Sequence, residues 1–130
     1  FHVVISNPPY TAERTGRQCP VPSRLVARHE SHLSLSDLTS ISSALLYKKG
    51  RFYVIYPSRR LGELINTARF AKLELKRLRF VYPRKEKGSN LFLAEFMKEG
   101  GMGTTVEKPL YIYENGGYTA EIDSYYALEE

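Results

Sequence analysis

The sequence predicts an α/β fold: half of a doubly wound sheet that ends in an antiparallel strand pair. Three observations carry this. Strand-like and helix-like segments alternate over roughly the first seventy residues. A run of further strands follows them. The 130 residues suit one modest domain, and no apolar stretch approaches the ~18 residues of a membrane span.

His2 to Ser6 (HVVIS) reads as a short buried strand, β-branched and apolar. Residues 8 to about 30 are rich in Pro, Gly and Arg and lack periodicity. Connections longer than ~12–15 residues are usually functional or disordered. Ser34 to Lys49 is expected to be helical, with Leu35, Leu38, Ile41 and Leu45 on one stripe and Leu46 beside it. Ser34 is the expected N-cap, with Asp37 three residues on. Lys48 and Lys49 suit the negative helix end, and Gly50 suits the stop.

Arg51 to Tyr56 is a second strand, ended by Pro57. Ser58 is expected to cap a helix in which Leu61, Leu64, Ile65 and Ala68 repeat at helical spacing. Leu73 and Leu75 alternate with charge, as do Leu78, Phe80 and Tyr82, but the parity flips near Lys76-Arg77; a β-bulge absorbs such a shift. Lys85 to Asn90 reads as a loop, and Leu91 to Met97 as a strand apolar on both faces except at Glu95. The glycine turn at residues 100–103 and a short strand, Leu110 to Tyr113, come next. Asn115-Gly116-Gly117 is a turn, and Ala120 to Leu128 reads as a last helix capped by Thr119, with a hairpin at the NG turn as the alternative to it.

Charge is uneven. The formal net charge is +5. Residues 59–87 hold ten bases against three acids, a net +7, whereas residues 99–130 set Lys108 against seven acids, a net −6. A basic block suits phosphate contacts, although a solvated face is the plainer reading. Cys19 stands alone, so no internal disulfide forms, which fits reduced thiols and a cytoplasmic setting. His2, His29 and His32 lack metal-ligand spacing, and no metal is expected. The glycine turn after Leu91–Met97 opens no clear helix, so a phosphate loop is a weak reading.

The chemistry concentrates in Asn7-Pro8-Pro9-Tyr10. Ligands of open α/β sheets bind at the C-terminal ends of parallel strands. There the Asn7 carboxamide oxygen is an acceptor. Pro8 lacks an N–H but keeps its carbonyl, and the two prolines leave that carbonyl little freedom. Two acceptors converging on one amino group aim its nitrogen and free its lone pair, by positioning and electrostatics without a strong base. Tyr10 offers a flat face for the ring or amide bearing that nitrogen. The fitting reaction is attack of an exocyclic amine or amide nitrogen on an activated methyl group. A plain strand-ending Asn-Pro turn with Tyr10 packed below it stands as the alternative.

Asn-Pro-Pro-Tyr after an apolar strand resembles the catalytic motif of the class I S-adenosylmethionine-dependent amino-methyltransferases. Further segments resemble the bacterial valine-tRNA adenine-N(6) methyltransferases. They are Ala27-Arg28-His29-Glu30, the run from Leu45 to Phe52, Pro57-Ser58-Arg59-Arg60-Leu61, the run from Lys76 to Pro83, Pro109 to Tyr113, and Gly117 to Ile122. The resemblance implies a Rossmann-like sheet. It implies S-adenosylmethionine as cofactor and, as partner and substrate, a valine tRNA methylated at the adenosine beside its anticodon. Asn7 and the Pro8 carbonyl would hold the 6-amino group of a flipped or unpaired base, with Pro9 fixing the turn and Tyr10 stacking. Arg14, Arg17, Arg24 and Arg28, together with Arg59 and Arg60, are candidates for RNA contacts; a solvated charge is the competing reading for each of the first four. His29 and Glu30 suit an ordinary surface or capping role.

The resemblance also implies a glycine-rich turn after a first strand and an acid after a second, both absent here. Residues 1–130 are therefore expected to be the carboxyl-terminal half of such a catalytic domain, starting at its fourth strand. Alone, that half is expected neither to bind S-adenosylmethionine nor to methylate, and either to self-associate through its exposed first strand or to keep upstream protein attached there. A glutamine of a protein, an adenine in DNA, or a non-catalytic RNA-binding role are the alternatives to a tRNA acceptor.

Overall fold

The computed structural model describes residues 1–8 and 34–127. Its centre is a mixed sheet of β1 (Val3–Ser6), β2 (Arg51–Pro57), β3 (Leu73–Tyr82), β4 (Leu91–Lys98), β5 (Thr105–Val106) and β6 (Leu110–Tyr111). The main order is β1-β2-β4-β3-β5, with β6 also on β3. β1 and β2 are parallel; β4 is antiparallel to both β2 and β3. The C-terminal ends of β1, β2 and β3 therefore share one edge of the sheet. The predicted α/β class and closing antiparallel pair are both present.

Two helices, α1 (Leu35–Leu45) and α2 (Leu61–Phe70), cover one face of the sheet. Phe52, Phe92 and Phe96 lie at its centre with no exposed surface; burial of each such ring is worth about 2 kcal/mol. Leu64 and Ala68 pack from α2, with Leu61 and Ile65 partly buried beside them. On the opposite face, Ile122 of α3 (Ala120–Ala127) closes a smaller cluster with Val81 and Leu110.

The bulge lies where the parity flips. Leu75 pairs with Phe96 and Arg77 with Glu95, so Lys76 is the extra residue. It turns out of the ladder, and its Nζ donates to Gly101 O at 2.8 Å. The NG turn forms a hairpin of β7 (Tyr113–Glu114) and β8 (Gly117–Tyr118). Asn115 and Gly116 both have positive φ, +50° and +80°, as a type I′ turn requires. Hairpin and helix α3 coexist, and the expected strand from Leu110 to Tyr113 divides between β6 and β7.

Several expectations need correction. Ser34 does cap α1, accepting from Asp37 N at 3.0 Å, but the helix ends at Leu45. Lys48 and Lys49 lie in the following turn, with Lys49 at φ +69°. The cation at the helix end is Lys98 of β4, whose Nζ donates to Ser43 O (2.7 Å) and Leu46 O (3.1 Å). The buried face of α1 is Leu35, Thr39, Ser42 and Ser43, while Ile41 and Leu45 are 48% and 44% exposed. Small side chains let the helix lie close to the sheet, and Thr39 satisfies its hydroxyl on Leu35 O at 2.9 Å. Ser58 does not cap α2. A single 3-10 turn, Ser58–Arg60, intervenes, and the Ser58 hydroxyl bonds Ser89 Oγ at 2.7 Å. β1 is not fully buried: Val3 and Ile5 are 48% and 77% exposed, and no described strand pairs with its outer edge.

Candidate active site

Asn7 and Pro8 follow directly on β1, at the C-terminal edge of its parallel pairing with β2. Val4 pairs with Phe52 and Ser6 with Val54, so the strand end is anchored beside the best-buried part of β2. Asn7 is exposed and Pro8 half-buried. The two lie where an open α/β sheet presents its ligand-binding crevice. Pro9, Tyr10, Arg14, Arg17, Arg24 and Arg28 lie outside the described residues.

The next strand end supplies the neighbouring wall. Beyond Pro57, Ser58 N donates to Asn90 O at 3.0 Å, which ties the 3-10 turn to the start of β4. Arg60 lies over the Tyr56 ring, 5.1 Å from its centroid, and forms an ion pair with Glu63 at 2.7 Å. That hydrogen bond from Arg60 holds the Glu63 carboxyl below the usual glutamate range. Arg59 is exposed beside it. Arg59 and Arg60 thus share the sheet edge of Asn7.

The rest of the basic block is dispersed. Arg69 pairs with Glu74 at 2.9 Å at the far end of α2, and Lys76 is held by the Gly101 carbonyl. Arg79 pairs with Glu121 at 2.7 Å and also donates to Lys108 O at 2.9 Å. Glu121 is held below its ordinary range by the Tyr125 hydroxyl and then by Arg79. Of the ten bases, those beyond the C-terminal ends of β2 and β3 lie toward the same sheet edge as Asn7.

For one group noted in the sequence, only the structure supplies the partners. Glu95, 4% exposed, lies on the sheet face away from α1 and α2 and takes ion pairs from both Arg51 and Arg77. Arg77 faces it directly across the bulge; Arg51 is its diagonal neighbour on β2. The signal was a lone acid in an apolar strand, but only the register reveals its partners. Glu95, Tyr53, Leu93 and Ile5 line a cleft of about 460 Å³ that reaches Ser6, next to Asn7.

The fold is shared with solved structures of methyltransferases. A predicted O-methyltransferase from Agrobacterium tumefaciens superposes with a TM-score of 0.69 at 21% identity, over 95% of this chain and 50% of that one. The M protein of the type I restriction enzyme EcoKI superposes at 0.56 and 17% identity, over 92% of this chain and 28% of its own. No family model matches the chain. By sequence the chain is related to proteins named tRNA1(Val) (adenine(37)-N6)-methyltransferase. The protein of that name from Parabacteroides distasonis is 31% identical over all 130 residues, half of its own length. The one from Dyadobacter fermentans is 27% identical over 120 residues, 92% of this chain and 49% of that protein. In the one from Musicola paradisiaca, identity is 42% over 65 residues, half of this chain and a quarter of that protein. The chain spans about half the length of the relatives that it matches end to end.

Proposed function

We propose that this chain is the acceptor-side part of an S-adenosylmethionine-dependent methyltransferase. Its substrate is the 6-amino group of an adenosine beside the anticodon of a valine tRNA. The observation that carries the reading is the position of Asn7-Pro8, immediately past the end of a parallel strand pair. The names of the relatives supply the substrate.

In this reading the Asn7 carboxamide oxygen and the Pro8 carbonyl each accept one N–H of the adenine amino group. Held so, the nitrogen lone pair turns out of the ring plane toward the methyl carbon. Tyr10 stacks on the purine, and Pro9 keeps the turn in register. A methyl donor bound in the complete site would supply the methyl group, and the nitrogen would then give up one proton. No base is required at Asn7, because the product ammonium is strongly acidic.

S-adenosylmethionine supplies an electrophilic methyl group when bound. Among the described residues no strand runs through a glycine turn into a helix; residues 100–103 follow β4 and lead into β5. The described residues therefore do not fit a cradle for the donor. The seam for a further part of the catalytic domain is, in this reading, the outer edge of β1, where Val3 and Ile5 are exposed.

The test uses the intact protein, unmodified valine-tRNA transcript and labelled donor. Nuclease digestion and mass spectrometry are expected to find N6-methyladenosine beside the anticodon. Label on a protein glutamine or on DNA, with the tRNA untouched, would overturn the reading.

A further inference from the structure

A second group of rings and cations occupies the same sheet edge as Asn7. β6 runs parallel to β3, and past its end Ile112 N donates to Tyr82 O (3.0 Å) and Tyr113 N to Pro83 O (2.9 Å). The β7–β8 hairpin is thereby carried beyond the C-terminal ends of β1, β2 and β3. On it Tyr113 and Tyr118 pair across the strands, with ring centroids 5.5 Å apart and planes 15° apart. Tyr126 of α3 adds a third ring, 5.3 Å from Tyr118. The three tyrosines are 44%, 44% and 54% exposed, so burial does not account for the ladder.

The turn after β3 borders this ladder. Arg84 and Lys85, both exposed, share with Tyr113 a cavity of about 750 Å³. Glu86 and Glu114 also line it, and Lys85 Nζ lies 3.7 Å from Glu114. A hydrogen bond with Tyr126 raises the Tyr118 hydroxyl above its ordinary pKa.

Rings for stacking beside cations for the backbone are what proteins use to hold unpaired nucleotides. β3 stands three strands from β1 in the sheet, about 14 Å at ordinary strand spacing. A strand with one base at Asn7 meets the turn and the hairpin a few nucleotides away. We propose that the Tyr113–Tyr118–Tyr126 ladder and the Arg84–Lys85 turn bind unpaired RNA nucleotides flanking the acceptor base. This rests on the reading of Asn7-Pro8 as the site of that base.

The experiment measures binding of the intact protein to unmodified valine-tRNA transcript across a salt series, and methyl transfer in parallel. Tyr113→Leu with Tyr118→Leu is expected to weaken binding about tenfold and to raise KM, with kcat and the salt slope retained. Arg84→Gln with Lys85→Gln is expected to lower the salt slope by about 1 to 2, and lies in an exposed turn that leaves the hairpin intact. Tyr118→Phe keeps the ring and is expected to bind as the unaltered protein does. Unchanged affinity in the Leu pair, or an unchanged slope in the Gln pair, would overturn the proposal, as would a loss in Tyr118→Phe equal to that of the Leu pair. Failure of the acceptor-site reading shows separately, as tRNA binding by the unaltered protein without methyl transfer.

Discussion

Glu95 sets the clearest problem at the scale of single residues. Burying a lone carboxylate costs several kcal/mol, and here two guanidinium groups offset that cost. Arg51 and Arg77 are themselves half exposed, with side-chain exposures of 41% and 56%, so each separate ion pair is screened. Either arginine alone still leaves the acid a partner; removing both strands it. Arg51→Met and Arg77→Met are therefore each expected to cost about 1 kcal/mol, and the double variant more than their sum, about 3 kcal/mol. Urea unfolding of the four proteins checks this; strict additivity would contradict it. That β1 stops before Asn7 was legible because two prolines follow it. Glu95 was not, because its meaning depends on a register shift twenty residues away. The tyrosine ladder was hidden for the same reason: Tyr113 and Tyr118 meet only once the turn between them is an I′ hairpin.

At the scale of elements, strands and the bulge were readable because their period is short and a slip moves every side chain to the other face. The bulge also has a consequence, since it is what sets Arg77 opposite Glu95. Helix α1 was harder. Its apolar stripe pointed to Ile41 and Leu45, yet the buried face uses Thr39, Ser42 and Ser43. Close approach to a sheet rewards small side chains whose hydroxyls bond their own helix, and hydrophobicity does not register that. The turn after α1 is similar. Gly50 serves close packing rather than left-handed backbone: an added Cβ would meet Tyr47 O at 2.8 Å, Leu46 Cδ2 at 2.9 Å and His2 O at 3.2 Å. Gly62, inside α2, has nothing within 4 Å of such a Cβ. Gly50→Ala is expected to destabilise by about 2 kcal/mol, and Gly62→Ala to stabilise by about 0.5 kcal/mol. Thermal unfolding separates the two, and a shift of the same sign in both would contradict the account.

At the scale of the molecule, the sheet sorts a charge block that the sequence presents as continuous. Parallel β1, β2 and β3 bring Asn7, Arg59, Arg60, Arg84 and Lys85 to one edge, while acids and a backbone carbonyl tie up Arg69, Lys76, Arg77 and Arg79 elsewhere. No described helix is long and apolar enough to cross a membrane. On the proposed function it is this edge, rather than the net charge, that would face the RNA. The central claim is that two oxygens at the end of β1 position an amino group for methylation. It is tested most directly by Asn7→Ala in the intact protein, with single-turnover methyl transfer and tRNA affinity measured side by side. The rate is expected to fall by about a hundredfold or more, with affinity nearly unchanged. A variant that methylates at the unaltered rate, or that loses affinity in proportion to rate, would contradict it.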